Sequence, residues 1–302
     1  MRSEGGRPAR CGEGSRSPRQ GARIRSIKTT LAALALLALT ACEAQPEGEP
    51  VARARIDGKT GPSSGTPTPA ATLASQVESA CRSIIFEDTP ITHCLAVPDR
   101  HSIETALANG DTRYRSLKDY AAAHDGETVA FAMNAGIADE DGTPVGYFVE
   151  DAKRLHELQT GSGSGNFYMK PNGVFYGTGG KWHVRDTDWF LANVTDRPQF
   201  GTQSGPMLII DGKIHPEIVH DGPSRKVRNA VGIDGEGRAH FVITNAPISF
   251  GKLARFYKNE LEVKNALFLD DTVSLLWNPA TERLDTGKPI GPILVVKKKA
   301  SE

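Results

Sequence analysis

From residue 128 onward, short apolar runs alternate with turn-forming clusters at a spacing that suits strands better than helices. Residues 128–133, 145–149, 173–176, 207–210, 230–233, 239–244, 266–269 and 293–296 each read as a strand. Asp234-Gly235-Glu236-Gly237 lies between two such runs and predicts a hairpin, because glycine supplies the positive φ values a tight turn requires. Asp211-Gly212 predicts the same after Ile210. Helical spacing is confined to two places. Ser116 can cap a helix over 117–124 with Gly126 as its stop, and Ser249 can cap another. Leu253, Phe256, Tyr257 and Leu261 recur on one face of that second helix, a stripe that predicts core packing. Few helices among many strands predict an α+β class: a single domain over 76–298, built on a mixed, largely antiparallel β-sheet with few flanking helices.

The first quarter of the chain has a different pattern. Arg23, Arg25 and Lys28 precede a short apolar core over 31–39, and Leu39-Thr40-Ala41-Cys42 matches a lipobox. Residues 1–41 therefore read as a lipoprotein-type signal peptide, with Cys42 the residue to be lipidated; a plain cleaved signal with an incidental cysteine is the alternative. The apolar core is shorter than the ~20 residues that span a bilayer. Residues 42–75 are rich in Pro, Gly, Ser, Thr and Ala and read as a disordered tether that holds the domain away from the membrane. The first 41 residues carry eight of the 36 Lys/Arg and two of the 36 Asp/Glu, so their removal leaves 28 basic and 34 acidic side chains, a net charge of about −6. That balance argues against a nucleic-acid partner. Lys297-Lys298-Lys299 forms the one basic run in the mature chain and reads as a solvated end.

With Cys11 and Cys42 set aside, Cys81 and Cys94 remain, flanking Ile84-Ile85-Phe86 and Ile91. If those runs pair about Glu87-Asp88-Thr89-Pro90, the cysteines face each other and can form a disulfide, as an exported protein favours; two free thiols are the alternative. Two isolated cysteines lack a zinc ligand set. His215, His220 and Asp221 show no metalloprotease spacing and read as surface groups, and Asp139-Glu140-Asp141-Gly142 lacks the pattern of a calcium loop. Gly161-Ser162-Gly163-Ser164-Gly165 is neither a P-loop nor a dinucleotide fingerprint and reads as a mobile loop. No metal or cofactor is expected.

Three polar islands follow strand-like runs: Gln203-Ser204-Gly205-Pro206, Val227-Arg228-Asn229-Ala230 and Leu269-Asp270-Asp271-Thr272-Val273-Ser274. Sites assembled from loops at sheet ends have that arrangement, since a strand fixes a side chain while the loop admits a ligand. Together with Met133-Asn134-Ala135-Gly136 and Gly165-Asn166-Phe167, then Lys170-Pro171-Asn172-Gly173, the islands resemble the phosphodiester glycosidase domain family, in its motif order, from about residue 81 to about 297. Among its members the chain looks most like the short bacterial branch. One departure is plain: many members have glycine after the aspartate where this chain has Asp271.

The resemblance implies a sugar-1-phosphodiester substrate and a leaving group that is a phosphate monoester, a weaker base than an alkoxide. Such a reaction leans on a cation for the phosphate and a carboxylate for the oxocarbenium-like carbon more than on a general acid. Arg228 can supply the cation and Asp270 the carboxylate, as nucleophile, stabiliser or base. Asn134, Gly136, Ser204, Gly205, Asn229, Ser274 and Lys170 are candidate substrate contacts. Structural readings stand beside each: Arg228 as a structural arginine, Asp270 as a turn cap, Asn134 and Gly136 as turn formers, Ser274 as a cap. Ser204 is not set in a nucleophile elbow. Adjacent carboxylates on an extended chain point to opposite faces, so one of Asp270 and Asp271 is expected to face the site. The chain is thus expected to be an exported, membrane-tethered hydrolase acting on a glycan or small sugar phosphodiester. A non-catalytic lipoprotein that binds phosphorylated glycans is the alternative.

Overall fold

The computed structural model describes residues 79–124, 126, 128–270 and 272–300. The signal peptide, Cys42, the tether and Asp271 lie outside the described residues. In chain order come β1 (Cys81–Phe86), β2 (Thr89–Ala96), β3 (His101–Ala106), β4 (Ala108–Asn109) and β5 (Thr112–Arg113). Helix α1 (Leu117–Ala123) leads to β6 (Val129–Asn134), β7 (Phe148–Glu150), β8 (Lys153–His156), β9 (Gly173–Thr178) and β10 (Lys181–Asp186). Helix α2 (Thr187–Asn193) precedes β11 (Phe200–Ser204), β12 (Met207–Ile210), β13 (Lys213–Ile214), β14 (Asn229–Ile233) and β15 (Ala239–Thr244). Helix α3 (Phe250–Arg255) continues as a π-helical turn and is followed by β16 (Asn265–Phe268), β17 (Leu276–Asn278), β18 (Arg283–Leu284) and β19 (Ile293–Lys298).

The class is α+β, as expected. The strands divide among a seven-stranded sheet, β1-β2-β15-β14-β16-β12-β13, and two five-stranded sheets, β10-β9-β11-β7-β8 and β18-β17-β6-β19-β3, with β4-β5 as a separate pair. Every ladder among the described residues is antiparallel. All three large sheets face one central core. Phe241 of β15 shows how: its ring meets Phe131 of β6 at 5.2 Å and Phe175 of β9 at 5.8 Å, both edge-on. One side chain thus joins all three sheets. Each sheet also carries a helix on a second face: α3 with Leu253, Phe256 and Tyr257 on the seven-stranded sheet, α1 with Leu117 and Tyr120 beside β6 and β19, and Phe190 of α2 against Val174 and Tyr176.

Local chemistry accounts for the punctuation. Glu87 and Asp88, at φ 43° and 60°, close the β1–β2 hairpin, whose register sets Cys81 against Cys94, and a disulfide joins them. Asp211 and Gly212 both take positive φ between β12 and β13. In the β14–β15 hairpin Asp234 Oδ1 accepts from the Glu236 and Arg238 N–H groups, while Gly237 takes the positive φ. Ser116 and Ser249 cap α1 and α3 by accepting from the Asp119 and Lys252 N–H groups, each at 3.1 Å.

Two expectations change. The basic run is a solvated end only in part: Lys298 and Lys299 are exposed, but Lys297 and Lys298 belong to β19, Lys297 Nζ lies 2.6 Å from Glu104, and Lys299 Nζ donates to Pro98 O. His215 is buried rather than at the surface, its Nδ1 accepting from the Glu217 N–H. Among the described residues no three His, Cys, Asp or Glu groups converge to hold a metal.

Candidate active site

Asn134 ends β6, Asn229 begins β14, and Asp270 and Ser274 belong to the connection between β16 and β17. Three sequence islands thereby meet in one hydrogen-bonded network. Asn134 Nδ2 donates to Asp270 Oδ2 at 2.8 Å and to Val273 O at 2.9 Å. Asn134 Oδ1 accepts from the Leu275 N–H at 2.8 Å and from Asn229 Nδ2 at 3.1 Å. Those four bonds use the full capacity of the amide, and the residue has no exposed surface. Asn134 therefore aims the Asp270 carboxylate and, in this conformation, has nothing left to offer a sugar hydroxyl.

Asp270 is 7% exposed. Its Oδ1 accepts from the Thr272 N–H at 2.8 Å and the Val273 N–H at 3.3 Å, an Asx-type turn that points the second oxygen at Asn134. N–H groups donating to both oxygens are the set an ionised carboxylate accepts. Asn229 Nδ2 also donates to Asn134 O at 2.8 Å. Ser274 Oγ makes only long contacts, 3.4 Å to Val227 O and 3.4 Å to Asn229 Oδ1. Of the four side chains, Ser274 is the one least tied down.

Arg228 is a backbone neighbour of this network and has contacts of its own. The register pairs Ala230 with Phe268, and the Leu269 N–H donates to Asn229 O, so Arg228 and Asp270 are each the next residue beyond that last bonded pair. The guanidinium packs over Phe250 at 3.6 Å and Phe268 at 5.5 Å, with Nε donating to Ile248 O and Nη2 to Ser224 O and Oγ. It is fully buried. Ser224, Ile248 and Phe250 were not singled out in the sequence; nothing in their spacing relative to Arg228 marks them.

The remaining candidates support the fold around the site. Ser204 Oγ donates to Leu269 O at 2.7 Å, which pins the end of β11 to the residue before Asp270. Gln203 beside it is a four-bond hub: Oε1 accepts from the Tyr147 and Gln159 N–H groups, and Nε2 donates to Gln159 O and Thr187 Oγ1. A Cβ on Gly205 would lie 2.7 Å from both Phe167 O and Asn172 Cβ, so its smallness admits protein backbone. Gly136, at φ +74°, is closed in the same way by Thr202 Oγ1 and Gln203 O. Lys170 is exposed and donates to Thr160 O, with no bond to the Asp270 network.

Residues 127–274 match the model of the phosphodiester glycosidase family, a span that includes all nine catalytic and substrate-contact candidates. This bears out the resemblance carried by the motifs. The uncharacterized protein YigE of Escherichia coli K12 is 39% identical over 149 residues, 49% of this chain and 58% of that protein. The match thus spans little more than half of that relative's length. Among solved structures, the catalytic domain of zebrafish N-acetylglucosamine-1-phosphodiester alpha-N-acetylglucosaminidase, auto-inhibited by its pro-peptide, aligns with a TM-score of 0.51 at 16% identity, covering 72% of this chain and 82% of that one. At that identity the likeness is one of fold.

Proposed function

We propose that this chain is an exported hydrolase that cleaves the bond between a sugar's anomeric carbon and a phosphodiester oxygen. The observation that carries the reading is the hydrogen-bonded chain from Ser274 through Asn229 and Asn134 to the Asp270 carboxylate. The match to the phosphodiester glycosidase family supports the reaction class.

In the proposed reaction the C–O bond breaks and its electron pair leaves with the phosphate, while a water oxygen bonds to the anomeric carbon. The water's surplus proton passes to solvent or to the phosphomonoester. Asp270, oriented by Asn134 and the 270–273 turn, stabilises the positive charge that develops on the sugar. Ser274 turns from its long contacts toward the substrate. Arg228 contributes positive charge from within the wall of the site; a direct contact with phosphate requires the 224–227 segment and the Phe250 ring to move aside. The lipobox at Cys42 and the Cys81–Cys94 disulfide support export and anchoring in the cell envelope.

The test is release of free sugar from a panel of sugar-1-phosphodiesters by the full chain and by its Asp270→Asn variant. Turnover by the parent that falls at least ~100-fold in the variant is expected. Saturable binding by both, with turnover by neither, would replace this reading with that of a glycan-binding lipoprotein.

A further inference from the structure

Away from the Asp270 network, the outer face of the β18-β17-β6-β19-β3 sheet holds a polar cavity of about 340 Å³, lined among others by Glu104, Tyr114, Tyr120, Glu150, Asp151 and Lys297. Its volume falls at the small end of the ~300–1,000 Å³ range of ligand pockets. Three carboxylates and one ammonium face it. Lys297 Nζ lies 2.6 Å from Glu104 Oε1, and the Tyr120 hydroxyl donates to the same oxygen at 3.3 Å, so Glu104 is already compensated. Glu150 and Asp151 are not compensated in that way.

Two further observations mark the cavity as built for an occupant. Tyr114 is 5% exposed, lines the cavity, and has no hydrogen-bond partner for its hydroxyl among the described residues. The ring is packed away while the hydroxyl stays open to the cavity. Asp151 and Ala152 form the two-residue turn between β7 and β8 with φ 47° and 56°. A left-handed alanine costs about 1 kcal/mol, and this one is fixed by its N–H donating to Gln199 O and by Arg197 donating to its carbonyl. The strained turn sets Asp151 at the rim. Burial holds the Glu150 carboxyl up at about 7, Asp151 and Glu104 push it the same way, and the Leu107 amide and Lys153 oppose the shift. A cation beside Glu150 would relieve that frustration.

We propose that this cavity is a second ligand site, one that takes a small organic cation: a primary ammonium on a body no larger than a monosaccharide. Its excess of carboxylates disfavours an anion. Among the described residues its three carboxylates are not arranged as a set that could hold a metal ion. The ammonium would lie between Glu150 and Asp151, with the Tyr114 hydroxyl available to a hydroxyl of the ligand.

Calorimetric titration of the full chain with glucosamine and with ethanolamine tests this, with glucose as the neutral control. Saturable binding of at least one amine, weakened at least ~10-fold by Glu150→Gln and absent for glucose, is expected. Glutamine should fold at position 150, where burial already favours the uncharged form, and thermal unfolding checks it. The site is refuted if neither amine saturates below ~10 mM, if glucose binds as well, or if Glu150→Gln has no effect. Loss of amine binding in Asp270→Asn would also refute it, by assigning the ligand to the first site.

Discussion

At the scale of single residues, the site depends on how completely one amide is used. Asn134 makes four side-chain hydrogen bonds and has no exposed surface, so even an isosteric change leaves buried groups unmatched. Asn134→Asp would put a second carboxylate against Asp270 and leave Val273 O without its donor. It should cost about 2–4 kcal/mol in urea denaturation and lower sugar release at least ~100-fold; an unperturbed midpoint would show that the amide does not hold the site together. The sequence made Asp270 and Asn134 visible as polar residues at strand ends. It could not show that Asn134 serves the carboxylate rather than the ligand, because that depends on Leu275 and Asn229 arriving from distant segments. Gly136 and Gly205 were misleading for a related reason: glycine marks a close approach, and here what approaches is Thr202, Phe167 and Asn172.

At the scale of elements, local turn and cap chemistry was the legible part. Asp211-Gly212, Asp234 to Gly237 and the two serine caps act as their side chains dictate. Helix α2 escaped notice although Asp186 caps it through the Trp189 N–H, because the exposed Trp189 and Leu191 blur its apolar face. Strand β11 escaped because Phe200-Gly201-Thr202-Gln203-Ser204 carries one large apolar side chain, yet it is buried throughout between β9 and β7. The pairing of β2 with β15 carries a pH prediction. His93 Nε2 meets His240 Nδ1 at 3.0 Å, and His240 Nε2 lies 3.0 Å from Asp234 Oδ2. Burial, then His240 and Arg82, push His93 down to about 3 from 6.5. A depressed histidine pKa means stability is present above pH 6.5 and is lost as pH falls toward 3. Each unit costs about 1.4 kcal/mol over that window. Glu150, raised to about 7, acts in the opposite sense between 4.5 and 7. The informative quantity is therefore the difference between parent and His93→Leu, whose stability should depend less on pH by about 2–3 kcal/mol between pH 6.5 and 4.5. Parallel pH profiles would show that His93 is not held neutral by the fold.

At the scale of the whole molecule, the α+β class and the antiparallel bias followed from strand spacing, whereas the division into three sheets did not. That division rests on pairings such as β19 with both β3 and β6, which join segments far apart in the chain, Lys298 to His101 and Lys297 to Val129. Periodicity is blind to them. Phe241 is where the three sheets meet, so Phe241→Ala should cost about 3–5 kcal/mol and weaken the site with the fold, since β6, β14 and β16 deliver Asn134, Asn229 and Asp270. A loss below ~1 kcal/mol in chemical denaturation would mean the sheets are held independently. What the assembled molecule is proposed to do is break a carbon–oxygen bond rather than a phosphorus–oxygen bond. Turnover of a sugar-1-phosphodiester in heavy-oxygen water, with mass analysis of both products, tests that most directly. The heavy oxygen should enter the released sugar and leave the phosphomonoester at its natural mass; label in the phosphomonoester would contradict the account and make the chain a phosphodiesterase.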